Sequence, residues 1–150
     1  MRKINKLYNE LYSILGDKKV TIDPDILEKY SCDETPDCTY SPDILVRAET
    51  AQDVSRVMKL CSAHGIPVTP RGAGSGVTGG ALAVRGGVVL SLERLNRILE
   101  IDTENMIAVV EPGVITGDIQ KAVSLHGLMY PPDPASLEMC TIGGNVAENA

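Results

Sequence analysis

Phenylalanine and tryptophan are both absent, and five tyrosines are the whole aromatic inventory of the 150 residues. A core must therefore be packed from Val, Ile, Leu and Ala. There is no run of lysine or arginine, and the formal net charge is −6. A broad basic surface for a nucleic-acid backbone is thereby excluded, and an anionic ligand would need a local set of donors. No apolar run is long enough to span a bilayer. The N-terminal MRKINKLYNELYSIL interleaves its apolar positions with Asn, Glu and Ser, so it lacks the apolar core and small-residue cleavage site of a secretory signal. These absences read as a cytoplasmic protein. The four cysteines (Cys32, Cys38, Cys61 and Cys140) form no C-x-x-C pair and only two histidines accompany them, so neither a zinc site nor a redox motif is indicated. Three of them read as plain thiols or core fillers. No internal repeat or low-complexity tract is present.

What is there is a globular chain about one domain long, with 43% hydrophobic residues, enough to build a core. Ile4, Leu7, Leu11, Ile14 and Leu15 recur at helical spacing with Gly16 at the cap position, which predicts a helix over 3–15. Asp23 and Pro24 read as N-cap and first residue of a short helix reaching Tyr30. The polar, turn-rich CDETPDCTYSPD reads as a surface loop. ILVRA (44–48) is a strand, and Thr50-x-x-Asp53 a capping box for a helix whose inner face is Val54, Val57, Met58 and Cys61 and which Gly65 ends. IPVTP (66–70) completes a strand-helix-strand unit, with parallel pairing and a right-handed crossover expected. GVVLSL (87–92) fits a buried strand. ILEID (98–102) and MIAVVEP (106–112) read as an antiparallel hairpin. A helix over 116–126 turns Ile119, Ala122 and Val123 inward and stops before Gly127. LMYPPDPASLEMCTIGGN has too many prolines and glycines to be regular. The sequence stops in TIGGNVAENA, within a glycine turn entering a helix, which reads as a piece of a longer protein.

The densest feature is PRGAGSGVTGG (70–80), which holds five of the 14 glycines. Gly74, Gly76 and Gly79 match G-x-G-x-x-G letter for letter. A Rossmann turn, however, needs a helix to start on those glycines, and ALAVRGG followed by strand-like VVLSL stands there instead. A P-loop needs Lys and Ser or Thr after Gly79, where Gly80 and Ala81 stand. Two more turn segments built of glycine, proline and small hydroxyls follow: Glu111-Pro112-Gly113, then PPDPAS with TIGGN. Successive backbone N–H groups in such turns make anion-binding concavities, and small side chains admit a diphosphate to hydrogen-bond distance.

Taken together, P-R-G-A-G-S-G-V-T-G-G, E-P-G at 111–113, P-P-D-P-A-S at 131–136 and C-T-I-G-G-N-V-A-E-N-A at 140–150 resemble the FAD-linked oxidase family of the vanillyl-alcohol oxidase and para-cresol methylhydroxylase type. Within it the chain is most similar to the branch of D-lactate dehydrogenases and the glycolate oxidase flavin subunit. The resemblance runs in order from about residue 20 to the last residue. It implies an α+β FAD-binding domain of two subdomains, the first a parallel βαβ unit plus helices, the second antiparallel and only begun here. The rest of that domain and a cap domain would follow residue 150.

The resemblance further implies that Pro70, Arg71, Gly72, Ala73, Gly74, Ser75 and Gly76 wrap the FAD diphosphate, with Gly79 and Gly80 completing the turn. Pro132, Asp133, Pro134 and Ser136 match the segment near the flavin ring and ribityl chain, and Thr141, Gly143, Gly144 and Asn145 the second glycine turn on the cofactor. Relatives that attach FAD covalently through this loop carry histidine where Ser75 stands, so noncovalent FAD is implied. Read without the family, Arg71 could serve a surface ion pair, Asp133 a turn, Asn145 a helix cap, and His64 and His126 helix-end packing. The implied reaction is oxidation of a D-2-hydroxy acid of the lactate or glycolate type to the 2-oxo acid, with hydride transfer to flavin N5. Electrons would pass to a quinone, an iron-sulfur protein or an electron-transferring flavoprotein, which could hold the protein at the membrane periphery. The catalytic base and any metal ligands would lie after residue 150, and no metal site is expected before it. Two alternatives stay open: a flavoenzyme of the same fold with another reaction (enolpyruvyl reductase or alkyl-ether lipid synthase type), and a non-enzymatic nucleotide-binding module.

Overall fold

The computed structural model describes residues 2–150. The first helix, α1 (Arg2–Leu15), buries Leu7 and Leu11 completely, one turn apart on one face. It stops at Gly16, whose φ of +83° is open to glycine at no steric cost. A short strand β1 (Val20–Thr21) and helix α2 (Pro24–Glu28) follow. Asp23 caps α2 by accepting the Asp25 N–H at 3.0 Å, and Pro24 occupies the first turn, where no N–H is needed. The helix ends at Glu28, and Tyr30 follows in a turn, its N–H donating to the Leu27 carbonyl.

The strand-helix-strand unit is present as β2 (Ile44–Arg47), α3 (Ala51–His64) and β3 (Val68–Arg71). The capping box of α3 forms in both directions between Thr50 and Asp53, and Gly65 ends the helix at φ +64°. Val57 and Cys61 are fully buried against α1 and the sheet, whereas Met58 is 48% exposed. The stripe i, i+3, i+7 through Val54, Val57 and Cys61 leaves residue 58 about 100° around the helix from Val57, on the outer edge of the face expected for it. Burial pushes the Cys61 thiol up to about 11, which keeps it protonated and inert.

The expected direct pairing of the 44–48 and 66–70 strands does not occur. Both run parallel, but β4 (Val88–Ser91) lies between them, giving the order β1-β2-β4-β3 with β1 antiparallel to β2. The reason is compositional: VVLS is buried at every position and takes the centre, while Pro70 cannot donate to a ladder and sends β3 to the edge. The connection from β3 to its neighbour β4, residues 72–87, contains no helix or strand. The glycine stretch is thus itself the crossover, pinned by Leu82 and Ala83, both buried.

Alternation along the strands divides the core. Ile44, Val46, Val88 and Leu90 face α1 and α3. Leu45 and Val89 face the other way, onto Leu27 of α2 and Ala83. The same parity puts Arg47, Ser91 and Arg71, which are in register, side by side at the C-terminal ends of the parallel strands on the α2 side.

A separate two-stranded antiparallel sheet, β5 (Ile98–Asp102) and β6 (Ile107–Val110), carries a register irregularity between Ile98 and Glu100. Its inner residues pack on α4 (Thr116–Ser124) through Ile119 and Val123, while Leu99, Ile107 and Val109 remain exposed. The helix expected over 116–126 is two residues shorter, with Gly127 at φ +70° in the turn that follows. The final stretch is not wholly irregular: Thr141 caps a short helix α5 (Ile142–Glu148) that starts on the two glycines.

One ion pair fastens β1's approach to the start of α3. Asp53 is buried, and a single oxygen, Oδ2, accepts from Lys19 Nζ at 2.7 Å, from the Glu49 N–H at 3.1 Å and from the Thr50 N–H at 3.2 Å. Burial alone would raise its pKa; the bonds from Lys19 and the Glu49 and Thr50 region outweigh that and hold the carboxyl below the usual range. A depressed folded-state pKa contributes stability above the unfolded value, about 3.9, that is lost as pH falls through the folded one. Asp53→Asn is expected to cost about 2 kcal/mol at pH 7. Urea titrations of variant and wild type should converge as pH drops below about 4.

Candidate functional site

The glycine loop 72–81 leaves the C-terminal edge of the parallel sheet, where open α/β sheets place ligands. It forms one wall of a cleft of about 330 Å³. Three segments distant in sequence meet there. A side chain at Gly72 would run into the Thr141 hydroxyl, so the two backbones approach as only glycine allows. Thr78 Oγ1 donates to Glu148 Oε2 at 2.9 Å, linking the loop to α5. Behind α5, the Gly143 N–H donates to the Pro112 carbonyl at 2.9 Å, and a Cβ on Gly143 would come within 2.8 Å of the Pro112 ring. The E-P-G turn, the T-I-G-G turn and the long glycine loop therefore stack in sequence on one another.

The sequence-predicted site residues divide as follows. Pro70, Gly72, Ala73, Gly74, Ser75, Gly76, Gly80, Pro134, Ser136, Thr141, Gly144 and Asn145 line the cleft. Gly79 shapes the loop at φ +74° without lining it, and Gly143 sits in the seam with Pro112. Pro132 and Asp133 lie off the lining; the Pro132 carbonyl is anchored to α4 by Gln120 Nε2 at 2.8 Å. Asn145 does not cap a helix: its amide donates to the buried Thr116 hydroxyl at 2.6 Å, which orients the side chain from behind.

Arg71 does not line the cleft; its guanidinium lies behind the glycine loop, against Gly74. It is not a surface ion pair, being only 6% exposed, and both Nε and Nη1 are buried without any hydrogen-bond partner. Its guanidinium lies over the Tyr30 ring, 5.6 Å from the centroid, and the glycine loop folds directly onto it at Gly74, which takes φ +73°. Tyr30 is itself fixed, donating its hydroxyl to Glu93 Oε2 at 3.1 Å, with Ser91 donating to the same oxygen at 2.9 Å. Burial, then the Glu93 charge, raises the Tyr30 pKa, so the phenol stays a neutral donor. A buried cation without a counter-charge is costly. Placed under a bare, N–H-rich loop, it suits an anion carrying more than one charge.

Comparison with known proteins agrees with this chemistry. Residues 42–150 match the family described as FAD binding domain. The chain belongs to that family. This FAD-binding domain is 46% identical over 121 residues to the glycolate oxidase subunit GlcD of Bacillus subtilis (strain 168), covering 81% of this chain and 26% of that protein. It is 40% identical over 144 residues to the D-lactate dehydrogenase of Anaerostipes hadrus, covering 94% of this chain and 30% of the relative. The fold superposes on a crystal structure of p-cresol methylhydroxylase with substrate bound at a TM-score of 0.86 and 30% identity, over 97% of this chain and 29% of that one. The chain thus spans under a third of the length of these proteins.

Sequence reasoning missed several participants. Asp33, from the loop read as mere surface, lines the cleft, as do Val77, Ala81, Cys140 and Ala147. Tyr30 beneath Arg71 was also unforeseen. No spacing pattern links residue 30 or 33 to residue 71; only the folding of the 31–41 loop back across the C-terminal strand ends brings them together.

Proposed function

We propose that this chain is the N-terminal part of the flavin domain of an FAD-dependent D-2-hydroxy acid dehydrogenase of the lactate or glycolate type. The observation that carries the reading is the buried, unpartnered Arg71 guanidinium under a glycine loop onto which two other glycine turns converge. That FAD belongs there is supported by fit: the cleft is lined by the bare backbone of Gly72 to Gly76, the Arg71 guanidinium lies directly behind that loop at Gly74, and at Gly72 and Gly74 only glycine allows the close approach to Thr141 and Arg71. The names of the relatives, glycolate oxidase subunit and D-lactate dehydrogenase, support the substrate class.

In this reading Arg71 and the 72–76 amides hold the diphosphate, with Gly79 and Gly80 setting the turn. Pro134 and Ser136 would border the ribityl side with Pro132 and Asp133 set back behind them, and Thr141, Gly144 and Asn145 would add a further wall backed by Gly143. Bound FAD supplies an acceptor for hydride from the carbon bearing the substrate hydroxyl. The residues of this chain bind and orient that acceptor and exclude water around its phosphates. Ser75 has no ring nitrogen to bond the flavin, so attachment through this loop is noncovalent. The remaining flavin domain and a cap domain with the general base would lie in the rest of the protein, and electrons would pass to a separate acceptor: a quinone, an iron-sulfur protein or an electron-transferring flavoprotein.

Full-length protein purified gently is expected to be yellow, to release its flavin on acid precipitation, and to bleach anaerobically on addition of D-lactate or glycolate. Colourless protein that takes up no FAD overturns the cofactor assignment. Yellow protein that no 2-hydroxy acid bleaches overturns the substrate class alone.

A further inference from the structure

The carboxyl of Asp33 is left half used at the cleft. Oδ1 accepts the Thr35 N–H at 2.8 Å, which fixes the plane of the group. Oδ2 is buried and has no hydrogen-bond partner, and neither has the neighbouring Thr35 hydroxyl. Asp33 lines the same cleft as Gly72, Gly74 and Ser75. Its loop is held in place: the Tyr40 N–H donates to the Ser31 carbonyl at 2.7 Å, and the Glu34 N–H to the Gly76 carbonyl at 3.1 Å. The loop is therefore stitched to the glycine loop itself, although it precedes residue 42, where the family match begins.

A carboxylate oxygen only accepts, and leaving it buried without a donor is unfavourable enough that such groups nearly always have a partner. A phosphate oxygen cannot be that partner, being an acceptor of the same charge. The Thr35 hydroxyl, likewise unpartnered, does not fill the place either, which leaves room for a neutral donor a few atoms from the diphosphate. In a flavin dinucleotide, hydroxyls stand on both sides of it, on the adenosine ribose and on the ribityl chain, whereas the adenine amine is a full ribose further away. We infer that Asp33 Oδ2 accepts a hydrogen bond from one of these sugar hydroxyls, which makes Asp33 a binding residue of the cleft. The inference rests on the FAD reading above.

The test is a set of flavin titrations on full-length apoprotein with FAD, an FAD lacking the ribityl hydroxyls and an FAD carrying 2′,3′-dideoxyadenosine. Asp33→Ala is expected to weaken FAD about tenfold, the size of one charge-assisted hydrogen bond. One of the two deoxy analogues should bind wild type about tenfold more weakly than FAD and lose nothing further in Asp33→Ala, and that analogue identifies which sugar carries the hydroxyl. The inference is overturned if Asp33→Ala binds FAD within about twofold of wild type, or if both analogues lose affinity equally in the two proteins. Should Asp33→Ala not fold, wild type decides: analogues that bind as tightly as FAD overturn it. Wild type that takes up no FAD removes the cofactor reading and this inference together, whereas tight wild-type binding with an indifferent Asp33→Ala removes only the latter.

Discussion

Arg71→Met is expected to melt no lower than wild type as apoprotein, and by up to a few degrees higher, while binding FAD about a hundredfold more weakly. The two effects have opposite sign because one guanidinium serves two states. Without an occupant, it is a buried charge with Nε and Nη1 unpartnered, compensated only by the Tyr30 ring. A methionine fills similar volume and imposes no desolvation. With an occupant, the same group supplies charge-assisted hydrogen bonds of about 1.5–3 kcal/mol each. Differential scanning fluorimetry of the flavin-free protein and a flavin titration measure the two halves separately. A variant that loses apo stability and keeps its affinity would make Arg71 a structural residue and remove the observation on which the functional reading stands.

Gly113→Ala should destabilise the protein by at least about 3 kcal/mol, beyond what a surface turn would show. Gly113 is buried, and its N–H donates to the Leu95 carbonyl at 2.7 Å. An added Cβ would overlap the Leu92 carbonyl and stand 2.8 Å from that of Leu95 and 3.2 Å from that of Glu93. These are backbone atoms of the turn leaving β4, which no rotamer change can move aside. The E-P-G turn is thus the joint that presses the hairpin unit against the parallel sheet. Urea unfolding followed by circular dichroism reads the loss directly. Flavin affinity should fall as well, because Pro112 next door backs Gly143.

Much of this was legible in the sequence wherever a local rule governs. Caps at Asp23, Thr50 and Gly65, the stripe through Leu7 and Leu11, and the run VVLS each have a physical cause contained within a few residues. The convergence of the glycine turns was legible through resemblance, since each turn alone is compatible with many folds. Sheet order was not legible: the insertion of β4 between β2 and β3 depends on which strand tolerates burial on both faces, a comparison among strands rather than a property of one. Met58 was misplaced because a stripe four residues wide at its base fits either edge of a helix face. Asp33 and Tyr30 were out of reach, since the contacts that place them, Glu34 with Gly76 and Tyr30 with Arg71, span some forty residues and no periodicity records them.

The crossover between the two adjacent parallel strands β3 and β4 has a thermodynamic corollary. A helix would normally rigidify such a link through its own amide ladder; this one is held at a few points only, by Leu82 and Ala83 and by the Glu34–Gly76 and Thr78–Glu148 bonds. Flavin uptake is therefore expected to quiet this link more than the β-ladder around it, whose parallel pairings are already complete. Amide hydrogen exchange in residues 72–81 should slow on loading far more than in α1 or α3, and protease nicking of apoprotein should begin there.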